Sequence, residues 1–243
     1  LIKTGSYNMN VKLNLCALLL ACLAPISYAN MSVYPMSVDM NNQGEGNVRV
    51  ISRTNDVQFI KTTIVKISDA GTAKERENEI KTGDPNAIVV MPPKFALPAG
   101  ASKMVRLVSM EPAQQETTYR VKFEAVSQLD DPLEGTKGTK TQLNINLIWG
   151  VLVSVPPEHP ELKMSLQPGG EITNNGNQRF KILKIGLCKK AQADKECAWQ
   201  DVGRNLYPTA HFAPKNILNY DRVVIQYWNW IDKTRKSQSF SIH

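Results

Sequence analysis

Residues that usually carry chemistry are scarce in this 243-residue chain, which holds 4 cysteines and 3 histidines. His159, His211 and His243 are scattered and none neighbours a cysteine at ligand spacing, so no metal site is expected. A GxSxG elbow, an HExxH pair and a glycine-rich phosphate loop are all missing. No His–Cys or His–Asp constellation stands at an interpretable spacing either, which argues against an enzyme and leaves no cofactor implied. Dense basic clusters and aromatic–basic repeats are lacking, so nucleic acid is not an expected partner. Beyond position 29 no apolar run is long enough to span a bilayer.

What is present begins at Met9 with MNVKLNLCALLLACLAPISYA. One lysine, an apolar run over 13–24 and the small-x-small site Ser27-Tyr28-Ala29 read as a secretory signal over 9–29, with 1–8 preceding the start codon. Leu19-Leu20-Ala21-Cys22 offers a rival lipoprotein site, although leucine before the small residue fits it poorly and the Ala29 site is better formed. With Lys3 and Lys12 removed and no acidic residue lost, the net charge of +7 falls to +5, which favours solubility and acidic partners. Cys16 and Cys22 leave with the signal. Cys188 and Cys197 remain, and in an exported protein they are expected to form a structural disulfide worth about 2–3 kcal/mol.

From position 31 onward, short alternating segments are separated by turn chemistry. Strands are expected over 33–40 (kinked by its proline), 48–52, 57–67, 88–91, 94–97, 103–108 and 119–126, with a long polar insertion at 68–87. That is sandwich spacing, without a convincing amphipathic helix. The stretch 127–140 has the composition of a flexible loop, and Pro156-Pro157 reads as a stiff elbow into a second β module with strands near 171–173, 180–187 and 222–231.

Between loop and elbow lies the most informative run, TQLNINLIWGVLVSVPP over 141–157. At period two, Leu143, Ile145, Leu147, Trp149, Val151, Val153 and Val155 share a face. Gln142, Asn144 and Asn146 make the opposite face polar at first, and Ile148, Gly150 and Leu152 make it apolar or small later. Two readings stay open: a long core strand with a wet front face, or an edge strand whose Leu143, Ile145 and Leu147 are offered to another polypeptide.

LPAGASKMVRLVSMEPAQQETTYRVKFEAV over 97–126, the alternating strand into Pro-Pro, and ITNNGNQRFKILKIGLC together resemble the periplasmic pilus-assembly chaperones of chaperone–usher systems. The branch serving class 5 colonisation-factor fimbriae is the nearest match, and the resemblance covers essentially the whole mature chain. It implies an all-β protein of two immunoglobulin-like sandwiches joined at an angle, one over 30–156 and one over 157–243. It also implies donation of Leu143, Ile145 and Leu147 to a fimbrial (pilin) subunit that lacks a strand, and delivery to an outer-membrane usher. Self-association of the client-free protein is an alternative way of hiding such a strand.

The family anchors its client's terminal carboxylate on two basic residues, one on the first strand and one near the end of the donor strand. Here the donor position falls at Val151 or Leu152, and 33–40 holds no Arg or Lys. Arg120, expected opposite Gly150, is therefore the candidate anchor, with Lys122 following on the same side. Arg106 reads as a structural arginine stapling loops. Glu116 matches an acidic residue of the family's interdomain salt bridge, but its usual arginine partner, near Val155 or Pro156, is absent. The rival functions are a secreted adhesin, a pilus subunit, or a carbohydrate-binding module stacking sugar on Trp228 and Trp230, expected on one strand face.

Overall fold

In the computed structural model, which describes residues 30–80, 84, 87–126 and 147–242, the chain enters its first sandwich through a strand that Pro35 splits in two. The strands of this sandwich are β1 (Met31–Tyr34), β2 (Ser37–Asp39), β3 (Glu45–Ser52), β4 (Gln58–Ser68) and β5 (Arg76–Glu79). They continue with β6 (Ile88–Met91), β7 (Lys94–Leu97), β8 (Ser102–Ser109), β9 (Thr117–Val126) and β10 (Ile148–Val155). Proline offers no N–H to a ladder, so the strand breaks there and its halves join different sheets. β1 pairs with β3 in a sheet of order β1-β3-β8-β6. β2 runs parallel to β10 in the facing sheet, β2-β10-β9-β4-β5, where β7 also pairs with β4.

Alternation then builds the core between the sheets. β3 and β8 bury Val48, Val50, Val105 and Leu107, and from the other side β9 and β10 bury Tyr119, Val121, Phe123, Val151, Val153 and Val155. Each such side chain contributes about 1.5–3 kcal/mol relative to exposure. Because successive side chains point to opposite faces, Arg120 and Lys122 are turned away from this core.

The polar stretch 68–87 is more than the insertion expected of it. It contains β5, paired antiparallel to β4 at Val65↔Glu79, Lys66↔Asn78, Ile67↔Glu77 and Ser68↔Arg76. All four β5 residues are exposed, so this edge strand carries no apolar period to betray it.

The second sandwich comprises β11 (Met164–Leu166), β12 (Ile172–Asn174), β13 (Phe180–Cys188), β14 (Ala198–Leu206), β15 (His211–Phe212), β16 (Arg222–Asn229) and β17 (Thr234–Ser241). A three-stranded sheet β11-β12-β15 faces β14-β13-β16-β17. Its core gathers Ile172, Phe180, Ile182, Ile185, Leu187, Leu206, Val223 and Ile225, with the Phe180 and Tyr227 rings edge to face at 5.6 Å. The first core ends at Val155 and the second begins at Met164, with Pro156 and Pro157 buried between them.

Cys188 at the end of β13 is disulfide-bonded to Cys197, just before β14. The bridge packs against Val224 and Trp199 at the edge of the second sandwich, well apart from β10. Replacing both cysteines by serine should lower unfolding stability by about 2–3 kcal/mol and leave partner choice unchanged. Urea titration of wild type with and without reductant, beside the double variant, measures this.

Candidate functional site: the interdomain cleft and the open edge of β10

β9 places two cations on the outer face of its sheet. Arg120 stands opposite Leu152 and Lys122 opposite Gly150. The expected partner of Arg120 is Gly150, so the hairpin register is displaced by two residues. A shift of two preserves the face, so the side chains still share one surface. Gly150 matters to it: a Cβ there would lie 2.9 Å from Arg120 Cδ, so only glycine leaves room for the arginine stem to lie across β10.

Arg120 lines a cleft of about 460 Å³ between the sandwiches, together with Met36, Ile67, Gly71, Leu152 and Tyr207. It is not bare there. Arg120 Nε lies 2.6 Å from Glu77 Oε1, and an Nη2 donates to Glu75 Oε1 at 3.4 Å. Lys122 Nζ donates to Glu77 Oε2 at 2.6 Å. The Lys122 hydrogen bond leads the influences that hold the Glu77 carboxyl below its ordinary range, against a smaller upward push from burial, and Arg120 adds to the lowering. Both residues nominated from sequence therefore meet at one carboxylate, supplied by the strand that sequence reading missed.

Deeper between the sandwiches lies a second charge cluster. Glu116, just ahead of β9, is paired with the Arg179 guanidinium and accepts the Arg179 backbone N–H at 2.6 Å and the Trp230 indole N–H at 3.1 Å. Arg179 also pairs with Asp39 on β2 at 2.5 Å, and its Cζ sits 4.2 Å from the centroid of the Trp230 ring. Burial pushes the Glu116 carboxyl up, while the Arg179 charge and the N–H donors pull it down. Burial opposes the Arg179 charge, but Glu116 and Asp39 outweigh it and hold the guanidinium above its ordinary value. Glu116 thus has its arginine, drawn from the second sandwich instead of from the end of β10. Asn177 ties the same junction, donating to the carbonyls of Gln114 at 3.0 Å and His159 at 2.8 Å.

Other expectations fall elsewhere. Arg106 makes an exposed ion pair with Glu45 on the neighbouring β3, a surface contact of little energetic weight. Trp228 and Trp230 do not share a strand face: β16 ends at Asn229, and Trp230 is buried against Arg179. Among the described residues, no His/Cys/Asp/Glu group could hold a metal ion. No described helix is long and apolar enough to cross a membrane.

At the far end of β10 the core thins out. Val155, Val153 and Val151 are fully buried, Trp149 is partly covered, and Leu147 on the same face is 47% exposed. The pairing with β2 spans Leu152, Val153 and Ser154, so Ile148 to Gly150 have no strand partner on that edge among the described residues. Ile148, Tyr34 and Met36 are exposed around it. Leu143 and Ile145 lie outside the described residues.

No family model matches the chain. Over 216 residues it is 33% identical to a CFA/I fimbrial protein of Escherichia coli, covering 86% of this chain and 90% of that protein. Among solved structures, the class 5 fimbriae chaperone CfaA is 32% identical with a TM-score of 0.73, over 87% of this chain and 98% of that one. The chain belongs to the class 5 fimbrial chaperones. A structure of a chaperone–tip adhesin complex in CFA/I fimbriae biogenesis contains a similar chain, at 33% identity and a TM-score of 0.69, over 87% of this chain and 98% of that one. The class 5 chaperone described here shares the two-sandwich, immunoglobulin-like architecture of these relatives. Its cleft also contains residues that sequence reading passed over. Glu75, Glu77 and Glu79 recur at period two, a face of one sign that could have been matched to Arg120 and Lys122. Arg179 gave no local signal.

Proposed function

We propose that this class 5 chaperone acts in the periplasm, captures fimbrial subunits by lending them the strand that leads into β10, and passes them to an outer-membrane usher. The residues over 9–29 direct export, 30–156 form the donor domain and 157–243 the second domain. Leu143, Ile145 and Leu147 fill the client's groove, while backbone groups of the same strand satisfy the client's unpaired N–H and C=O groups. The observation that carries this reading is the row on β10 whose burial fades from Val151 to Leu147 beside an edge that β2 does not cover. Replacement of the lent strand by the next subunit's own segment releases the client without hydrolysis.

Arg120 and Lys122 anchor the client's terminal carboxylate at the cleft. Arg120 carries the larger share because its planar fork can hold both oxygens, and it lines the cleft directly. Co-expression with the fimbrial subunits of the same operon, followed by co-purification and affinity measurement, tests both claims. Arg120→Ala should weaken capture roughly ten- to hundredfold, the worth of a hydrogen bond to a charged group. Lys122→Ala should cost about fivefold or less. Equal and negligible effects would place the anchor elsewhere.

A further inference from the structure

Both cations of the proposed anchor already hold a carboxylate, and the manner of holding is specific. Glu77 spends one oxygen on each: Oε1 at 2.6 Å from Arg120 Nε and Oε2 at 2.6 Å from Lys122 Nζ. Glu75 adds a longer contact to the outer edge of the guanidinium at 3.4 Å. A single terminal carboxylate bridging Arg120 and Lys122 would use the same donors in the same way.

The acid arrives on a strand suited to leaving. β5 is four exposed residues long and is held to the sheet by β4 along one edge. The hairpin tip that precedes it turns through Asp69 and Gly71, both at positive φ, and meets the second sandwich. A Cβ on Gly71 would come within 3.0 Å of Tyr207 Cε2. The β4–β5 hairpin therefore reaches to the far wall of the cleft at its tip and lays its acids back over Arg120 and Lys122.

We propose that Glu77, assisted by Glu75, is an internal stand-in for the client's terminal carboxylate, occupying the anchor in the free chaperone and exchanging with the client on capture. The inference rests on Arg120 and Lys122 being the anchor. Two carboxylates cannot share those cations without repulsion, so client entry requires Glu77 to withdraw into water. With Glu77 36% exposed, that withdrawal is inexpensive. The consequence is selectivity: an uncovered cation pair would attract any acidic chain, whereas a covered one yields only to a ligand that adds strand contacts.

The test uses the full-length mature chaperone and a peptide of the C-terminal strand of a fimbrial protein from its operon, made with a free α-carboxylate and as the amide. Glu77→Gln keeps the size of the side chain and removes its charge. It should bind the carboxylate peptide roughly two- to fivefold more tightly than wild type, the range for a partly exposed ion pair, and leave the amide peptide unchanged. In an Arg120→Ala background the gain should vanish. Thermal unfolding of each variant verifies that it is folded. Weaker or unchanged binding by Glu77→Gln would overturn the proposal and make Glu77 a support that positions Arg120. If Arg120→Ala discriminates carboxylate from amide as well as wild type does, the anchor falls and the stand-in with it. Client capture by a chaperone with serine at 143, 145 and 147 scores the donor strand separately.

Discussion

Serine in place of Leu143, Ile145 and Leu147 together should abolish recovery of fimbrial subunits from the periplasm while leaving the chaperone folded. The three share the parity of Trp149, Val151, Val153 and Val155, yet the chaperone's own core has thinned before it reaches them: Leu147, the nearest, is already 47% exposed. Their apolar surface therefore does little for the chaperone and, on the proposed function, much for the client. Burial of three aliphatic side chains in a client groove is worth roughly 5–9 kcal/mol in aggregate. Its loss weakens the complex by three orders of magnitude or more. Co-expression with subunits, followed by one-to-one co-purification, reads this directly, with the melting curve of the free variant as the control. A complex that survives the triple change would remove the donor strand from the mechanism.

The strands that make this edge were legible because hydrophobic alternation reports a buried face. Tyr119, Val121 and Phe123 on β9 and Val151, Val153 and Val155 on β10 are spaced at two and face one core. β5, β14 and β17 were not legible, for a shared reason. They are edge strands held by ladder hydrogen bonds and charge, and their mostly exposed side chains leave no apolar period. In β14 the alternation is also broken by a bulge, where Ile182 pairs with Arg204 but Lys184 with Asp201, around Gly203 at a φ of +64°. The cleft was half legible. Arg120 stood out as a cation on the correct face of a well-formed strand, but its partner Glu75 lies 45 residues away in an unreadable stretch. Glu116 was recognisable in the same way, whereas Arg179, 63 residues further on, could be assigned to it only by folding both sandwiches.

That long-range pair carries the other large expected effect. Arg179→Met should destabilise the protein by about 3–5 kcal/mol, because Glu116, with no exposed side-chain surface, would keep its charge without a counter-ion. Trp230 would lose its stacked cation and Asp39 its partner in the same step. Exchanging the pair together, Arg179→Met with Glu116→Gln, should recover most of the loss, since neither remaining group then carries a buried charge. The acid sets the pH dependence. Burial already pushes the Glu116 carboxyl up, and removing Arg179 takes away the main force pulling it back. A carboxyl whose folded pKa lies above its unfolded one contributes stability at low pH that is lost as pH rises through the folded value. The deficit of Arg179→Met should accordingly be greatest at neutral pH and shrink on acidification, while the double variant shows no such slope. Urea unfolding at a series of pH values, followed by tryptophan fluorescence because Trp230 sits in the cluster, separates the two. A deficit that is independent of pH would mean that Arg179 acts through its packing on Trp230 and not through the Glu116 charge.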